Sequence, residues 1–259
     1  MTPALDLAGL PKAELHLHLE GAIRPSTAAE LGERYGLPVP GPRRYADLAE
    51  FVHAYESARG LVGDLDDLRR IARELVADAT EAGVVWSEVH LAPPTYAGRL
   101  GPDEAVLEAV LDGLGAHAGV IIGVNRGLPM AAAERSLRLA LAYAGRGVVG
   151  LGLAGDEAGN PARLFADVFA AARNAGLRAL PHGGEGAGPA SVRACVEVLG
   201  ASRVNHGVRA VEDPAVMALL VERGVCLDVC PSSNVALRVA SSIEEHPFPG
   251  CSPPESQSR

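Results

Sequence analysis

The sequence is poor in cysteine and lysine and lacks long apolar runs, and each of these features argues against a class of protein. The four cysteines form no Cys-x-x-Cys pair and are too few for a disulfide framework. No apolar run approaches the ~20 residues of a membrane span, and the first residues do not resemble a signal peptide. Lys12 is the only lysine, and the net charge of −9 argues against general affinity for nucleic acids or anionic membranes. We therefore expect a protein of the reducing cytoplasm with no nucleic-acid or membrane partner.

Short apolar segments alternate with helical patterns along most of the chain. Strands that alternate with helices predict right-handed crossovers and a parallel sheet, and the continuous apolar character of the strands predicts burial on both faces. The predicted strands are Leu15–Leu19, Val84–Ala92, Val120–Asn125, Val148–Ala154, Leu177–Pro181, Val204–His206 and Val225–Val229. The predicted helices are Pro25–Tyr35, Tyr45–Arg59, Asp64–Ala82, Pro102–Ala116, Met130–Ala144, Pro161–Ala175, Ala187–Leu199 and Pro214–Arg223.

Two α/β folds fit this pattern: a TIM-type (β/α) barrel that lacks its eighth strand, and an open doubly wound sheet. In a barrel, reactive side chains cluster at the carboxyl ends of several strands. Polar residues recur at these ends in the sequence: His16, His18, Glu88, His90, Asn125, His182 and His206. The sequence therefore favours an incomplete barrel of seven recognisable strands, with extra helices after the first strand.

Leucine and histidine alternate strictly between Leu15 and Leu19, which is the period of a strand. His16 and His18 therefore project to the same face, and two neighbouring imidazoles make half of a zinc site. The alternative is that two core histidines alternate with leucines by chance. The pair, followed by Glu20 and Gly21, favours metal binding.

Two later histidines end predicted strands in the same way. His182 is followed by two glycines and Glu185, so it can supply a third metal nitrogen while Glu185 turns back over the same site. His206 can bind a metal or act as a base and electrostatic stabiliser beside it. The alternatives are a solvated polar turn for the first histidine and a core histidine for the second.

The segment Gly150–Gly155 matches the dinucleotide-binding fingerprint G-x-G-x-x-G, but its context is wrong. A dinucleotide-binding helix begins on the last glycine, whereas here Pro161 marks a later helix start. We interpret Gly155 as a close approach of the backbone to a ligand. His53, His117 and His246 are predicted to lie on helices as surface or packing residues, and Pro231–Asn234 is predicted to be a polar turn.

Five segments together resemble the adenosine deaminase family of the amidohydrolase superfamily, in the family's order. Any one of them is weak evidence, but five in order over about Leu10 to Pro249 are specific. The segments are Ala13–Ala22, Leu153–Glu157, His182–Glu185, His206–Gly207 and Cys230–Asn234.

The resemblance implies a metal-dependent barrel that hydrolyses an amino-purine to its oxo form and releases ammonia. His16, His18 and His182 would hold one zinc ion. Glu185 would pass a proton to the purine ring, and His206 would assist the attacking water and stabilise the developing charge. His18, Glu20 and the Gly155 backbone would line the pocket of a small purine substrate.

The chain departs from the family pattern at several positions. Glu20, Gly152 and Asn205 stand where many members have Asp, Asp and Gly, which leaves the substrate open among adenosine, adenine and related nucleosides such as aminofutalosine. No Asp follows Asp228, so the family's strand-eight Asp pair is absent. We therefore expect weak or no activity, reduced stability, and self-association through the open barrel edge.

Two rival functions remain open. One is a non-catalytic remnant that binds a purine or a metal without turnover, and the other is a different amidohydrolase that uses the same histidines. We expect residues 1–249 to form the barrel domain and residues 250–259 to form a disordered Pro/Ser-rich tail.

Overall fold

The computed structural model describes residues 9–41, 45 and 48–248. The predicted tail of residues 250–259 lies outside this part of the chain. The chain divides into two compact units. The first consists of Met1–Pro40, Ala54–Ile122 and Tyr143–Val149, and the second of Gly41–His53, Gly123–Ala142 and Gly150–Arg259. A single domain over residues 1–249 stays a prediction. None of the helices in the described residues has the length and apolarity needed to cross a membrane.

The strands in the described part of the chain form a seven-stranded sheet whose order follows the chain, from β1 to β7. They are β1 (Lys12–His18), β2 (Val84–Leu91), β3 (Ala118–Asn125), β4 (Val148–Ala154), β5 (Arg178–Gly183), β6 (Arg203–His206) and β7 (Cys226–Asp228). A doubly wound sheet reverses its strand order at a switch point, whereas a TIM-type barrel adds each strand next to the previous one. The observed order therefore agrees with the predicted barrel and not with its alternative.

Helices fill the connections between these strands. They are α1 (Pro25–Tyr35), α2 (Leu48–Gly60), α3 (Leu65–Glu81), α4 (Asp103–Leu114), α5 (Met130–Ala142), α6 (Ala166–Asn174), α7 (Pro189–Glu197), α8 (Pro214–Arg223) and α9 (Pro231–Ala236). The predicted helix from Pro161 begins as a 3-10 turn at Ala162–Phe165 and continues as α6. The predicted polar turn at Pro231–Asn234 is wrong, because these residues form α9. Pro231 has the fixed φ that favours the first position of a helix.

In the first unit, α3 packs against α4 through an apolar stripe. Leu68, Ile71 and Leu75 of α3 are buried, as are Val106 and Val110 of α4. The capping box of Asp64 begins α3, because the Asp64 side chain accepts a hydrogen bond from the Asp67 amide and the Asp67 side chain accepts one in return. This packing supports β1 and β2, whose parallel pairing places His18 opposite His90.

In the second unit, β4 to β7 form consecutive parallel pairs. The register sets His182 of β5 beside Asn205 of β6, and Asn205 beside Asp228 of β7. Gly183 lies opposite His206. The carboxyl ends of β5 and β6 thus bring His182 and His206 to the same edge, as parallel pairing requires.

Candidate active site

Three histidines cluster at the carboxyl ends of β1 and β2 in the first unit. His16 and His18 project to the same face, as predicted, with ring centroids 5.5 Å apart. His90 lies 5.4 Å from His16 and 4.8 Å from His18, measured between ring centroids. His16 and His90 can each offer a ring nitrogen, and these two nitrogens lie within 4.8 Å of one another. The first unit therefore presents a set of imidazole donors of the kind that zinc binds.

His90 is the member of this cluster to which sequence reasoning assigned no specific role. Its ring is stacked on that of His18 with an interplanar angle of 15°, whereas it is inclined by 66° to the ring of His16. Ligand lone pairs lie in the ring plane, so two parallel stacked rings do not aim at one ion. In this arrangement His16 can therefore share an ion with His18 or with His90, but not with both.

Protein atoms enclose His18, although part of its surface stays accessible. This burial lowers the pKa of His18, against a smaller opposite effect from the charge of Glu20. A neutral imidazole is the form that binds a metal. The surroundings of His18 therefore favour its ligand form.

Glu20 is buried beside this cluster and accepts hydrogen bonds from two tyrosines. The hydroxyl of Tyr55 lies 2.5 Å from Oε2, and the hydroxyl of Tyr96 lies 2.7 Å from Oε1. Burial and then the charge of Glu20 raise the pKa of both tyrosines well above the usual value. The tyrosines therefore stay protonated and fix the carboxylate, which keeps further lone pairs for another donor.

The second unit brings together three more of the predicted residues: His182, Glu185 and His206. The ring centroids of His182 and His206 are 5.3 Å apart, and Nε2 of His206 lies 3.4 Å from Oε1 of Glu185. His206 has a left-handed backbone conformation with φ of 64°. A residue other than glycine rarely adopts this conformation, and such strain concentrates at functional sites.

The environment of Glu185 stabilises its protonated form. Burial, followed by the negative charge of Glu157, raises the pKa of Glu185 to about 8. Only 13% of its side chain is exposed. A carboxyl group with this pKa carries its proton at neutral pH and can act as a general acid.

Glu157 holds the backbone that carries Glu185. Its buried carboxylate accepts hydrogen bonds from the amides of Gly184, Glu185 and Gly186 at 2.9 to 3.0 Å, and from the hydroxyl of Ser191 at 2.5 Å. Gly184 has φ of 70°, and an added Cβ would come within 2.4 Å of Val192. The tight turn after β5 therefore requires both a glycine and the carboxylate of Glu157.

Arg126 and Asn205 are among the neighbours that hold His182. The guanidinium of buried Arg126 donates a hydrogen bond of 2.7 Å to the His182 carbonyl, and Asn205 Nδ2 lies 3.4 Å from His182 Nδ1.

Gly155, predicted to approach a ligand, has φ of 106°, and its backbone passes Arg126 so closely that an added Cβ would lie 3.6 Å from it.

The predicted helical position of His246 is wrong, whereas its burial agrees with the predicted packing role. His246 lies outside the helices and is buried, and its ring contacts Asn234, which is also buried. Nothing in the hydrophobic pattern around His246 signals this contact. His53 is exposed on α2, as predicted, whereas His117 is exposed but lies after the end of α4 and not on a helix.

Comparisons with known proteins now identify the family. The sequence profile of the adenosine deaminase family matches residues 11–251. A protein of Streptomyces virginiae, provisionally named adenosine/adenine deaminase, is 42% identical over 96% of this chain and 78% of its own length. The chain belongs to the adenosine deaminase family. As a member of this family, it is classed with hydrolases that act on C–N bonds.

Solved structures of deaminase relatives agree with the fold. The adenine deaminase of Arthrobacter aurescens superposes with a TM-score of 0.83 at 30% identity, covering 93% of this chain and 78% of that one. An amidohydrolase of Burkholderia ambifaria, solved with bound zinc, gives a TM-score of 0.81 at 29% identity, covering 95% and 73%. The likeness confirms the TIM-type (β/α) fold class.

Proposed function

We propose that the chain hydrolyses an amino-purine to the oxo-purine and ammonia. The observation that carries this proposal is the buried carboxyl group of Glu185, whose Oε1 lies 3.4 Å from Nε2 of His206, with the ring of His182 beside that of His206. The burial that raises the pKa of Glu185 to about 8 supports its role as an acid. Membership of the adenosine deaminase family supports the same reaction. The named relatives act on adenosine or adenine, so both are the first substrates to test, followed by aminofutalosine.

We further propose that His16, His18 and His182 hold one zinc ion. Imidazole nitrogens are preferred zinc donors, and the neutral form favoured for His18 is the one that binds. Zinc is the ion bound by the Burkholderia relative. When bound, zinc would lower the pKa of a water molecule to about 7 and so supply hydroxide at neutral pH. His90 is a rival to His18 because it is stacked on that ring.

We assign the remaining residues roles that their surroundings support. Glu185 donates its proton to a purine ring nitrogen, which prepares the ring for attack at the carbon that bears the amino group. His206 stabilises the charge that develops on the attacking oxygen. His18, the fixed carboxylate of Glu20 and the exposed backbone of Gly155 bind the purine.

The proposal is tested by metal analysis together with ammonia release. We expect the purified protein to bind one zinc ion and to release ammonia from adenine or adenosine when zinc is present. Zinc or purine binding without ammonia from any amine would favour a non-catalytic remnant. Ammonia from another amine, with none from purines, would favour a different amidohydrolase.

Asn205 offers a prediction for metal affinity. The side-chain amide of Asn205 lies 3.4 Å from Nδ1 of His182. An imidazole that binds a metal through Nε2 carries its proton on Nδ1, and the oxygen of this amide is the group that would accept that proton. We therefore expect Asn205→Ala to weaken zinc binding by about 10- to 100-fold, the usual effect of removing a group that orients a ligand. Competition with a chromophoric chelator measures the affinity. Asn174→Ala, an exposed position at the end of α6, is the matched control. Equal zinc affinity in both variants would contradict this role.

A cytoplasmic location and self-association through the barrel edge stay predictions. Sedimentation of the zinc-loaded protein over a range of concentrations tests the second. We expect the mean mass to rise with concentration, and a mass that stays at 26.7 kDa would contradict it.

A further inference from the structure

A chain of hydrogen bonds joins the backbone near residue 248 to His206. The amide of Phe248 donates to Nδ1 of His246 at 3.0 Å. Nε2 of His246 lies 3.0 Å from Oδ1 of Asn234, and Nδ2 of Asn234 lies 3.3 Å from Nδ1 of His206. Asn234 is fully buried, and His246 and His206 are each 5% exposed, so water does not substitute for these contacts.

The first donor fixes the direction of every later bond. A neutral imidazole has one donor nitrogen and one acceptor nitrogen. Since Nδ1 of His246 accepts from a backbone amide, its proton is on Nε2, which must donate to the oxygen of Asn234. The amide nitrogen of Asn234 then faces His206 as a donor, so Nδ1 of His206 accepts.

We propose that Asn234 and His246 are positioning residues that hold the proton of neutral His206 on Nε2. This nitrogen is the one that faces Glu185 Oε1 at 3.4 Å. The inference rests on the proposed function for its consequence in catalysis. With its proton on Nε2, His206 acts toward the reacting oxygen as a hydrogen-bond donor that stabilises negative charge, and not as a base.

The backbone around the two positioning residues is held tightly. The amide of Asn234 donates to the Cys230 carbonyl, and the carbonyl of Asn234 accepts from the amides of Val239 and Ala240. His246 precedes Pro247, which restricts the backbone of the preceding residue. Because the backbone is fixed on both sides, the hydrogen-bond chain depends mainly on the side-chain torsions of Asn234 and His246.

Nitrogen-15 NMR of histidine-labelled protein tests the inference directly, with the His206 signals assigned by their loss in His206→Gln. We expect the zinc-loaded wild type to show a pyridine-type Nδ1 and a pyrrole-type Nε2 for His206. In Asn234→Asp, the carboxylate can accept hydrogen bonds from both His246 and His206. We therefore expect the proton of His206 to move to its Nδ1. A proton on Nδ1 in the wild type would overturn the inference without any variant being needed.

Kinetics of two further variants separate a positioning role from a structural one. His246→Phe removes the group that donates a hydrogen bond to Asn234. We therefore expect a mixture of His206 tautomers, and a kcat about tenfold lower with unchanged KM. His246→Gln keeps a hydrogen-bond donor near Asn234 and should restore both the single His206 tautomer and the wild-type kcat. In Asn234→Asp the loss of kcat should reach about 10²-fold or more, because a wrong tautomer is costly in catalysis.

The outcomes distinguish this inference from the proposed function. If His206 keeps the same tautomer in Asn234→Asp and in His246→Phe, the inference is wrong whatever the activity. If the tautomers change as expected but none of the proteins deaminates a purine, the inference stands and the proposed function fails. His53→Gln, an exposed position on α2, is the control that should change neither measurement.

Discussion

Replacing Glu185 with Gln is expected to lower kcat for purine deamination by about 10² to 10⁴, the contribution of a positioned general acid. Gln has nearly the same shape but no proton of suitable acidity to transfer to the ring nitrogen. The zinc content should stay the same, because Glu185 is not among the proposed ligands. The rate of ammonia release at saturating substrate gives kcat, and metal analysis gives the zinc content.

The matched control for this variant is Glu222→Gln on α8. The Glu222 side chain is 74% exposed, so the same chemical change there should leave kcat unaltered. Retention of full activity by Glu185→Gln would remove Glu185 from the mechanism.

The raised pKa of Glu185 also predicts the pH dependence of the reaction. The group must be protonated to act as an acid, so activity should fall as pH rises through about 8. The groups that face it are His206 at 3.4 Å, the charge of Glu157, and Cys230, whose own pKa is raised in part by Glu185. An activity that stays constant from pH 7 to 10 would contradict this assignment.

The same shift predicts how stability depends on pH in the metal-free protein. The folded state holds a proton on Glu185 up to about pH 8, whereas the unfolded chain releases it near the ordinary glutamate value of 4.5. The folded protein therefore binds more protons across this interval, and the free energy of unfolding should decrease as pH rises from 4.5 to 8. Urea denaturation should show a smaller decrease in Glu185→Gln, which is then the more stable protein at about pH 8.

Glu157→Gln should damage both stability and catalysis. The carboxylate accepts four hydrogen bonds, from three backbone N–H groups and one hydroxyl group. The side-chain amide of Gln would point its own N–H groups at some of these donors. Each buried donor left without a partner costs ~1–3 kcal/mol, so we expect the free energy of unfolding to fall by about 2–4 kcal/mol. A displacement of the Glu185 loop by about 1 Å should lower kcat about 10²-fold.

Two comparisons separate these effects of Glu157. Ser191→Ala removes one of the four hydrogen bonds and should cost only ~1 kcal/mol, while Glu197→Gln on the exposed face of α7 should cost nothing measurable. Loss of the Glu157 charge should also move the alkaline limit of activity to lower pH, which a purely structural defect would not do. An unchanged alkaline limit would show that Glu157 does not tune Glu185.

Sequence patterns predicted the elements best where local signals bound them at both ends. Pro214–Arg223 has the predicted bounds because Asp213 caps its start and Gly224, with φ of 61°, ends it. Val148–Ala154 is an apolar run that Gly147 and Gly155 delimit, and it also has the predicted bounds. The His16 and His18 pair follows directly from the period of a strand.

The contacts that tune the site could not be predicted in this way. Tyr96 reaches Glu20 from 76 positions away in sequence, and Asn234 connects His246 to His206. Such partners are set by the packing of separate elements, which leaves no periodic signal. Glu157 belongs to one of the five segments that resemble the family, but its four hydrogen bonds depend on the turn after β5.

The most direct test of the central claim is the fate of the oxygen atom. Adenine or adenosine is incubated in oxygen-18 water with an excess of zinc-loaded protein. The mass of the product is then measured by mass spectrometry. We expect hypoxanthine or inosine that carries one oxygen-18 atom, with one ammonia released for each. An unlabelled product, or no product from either purine, would contradict hydrolytic deamination by this chain.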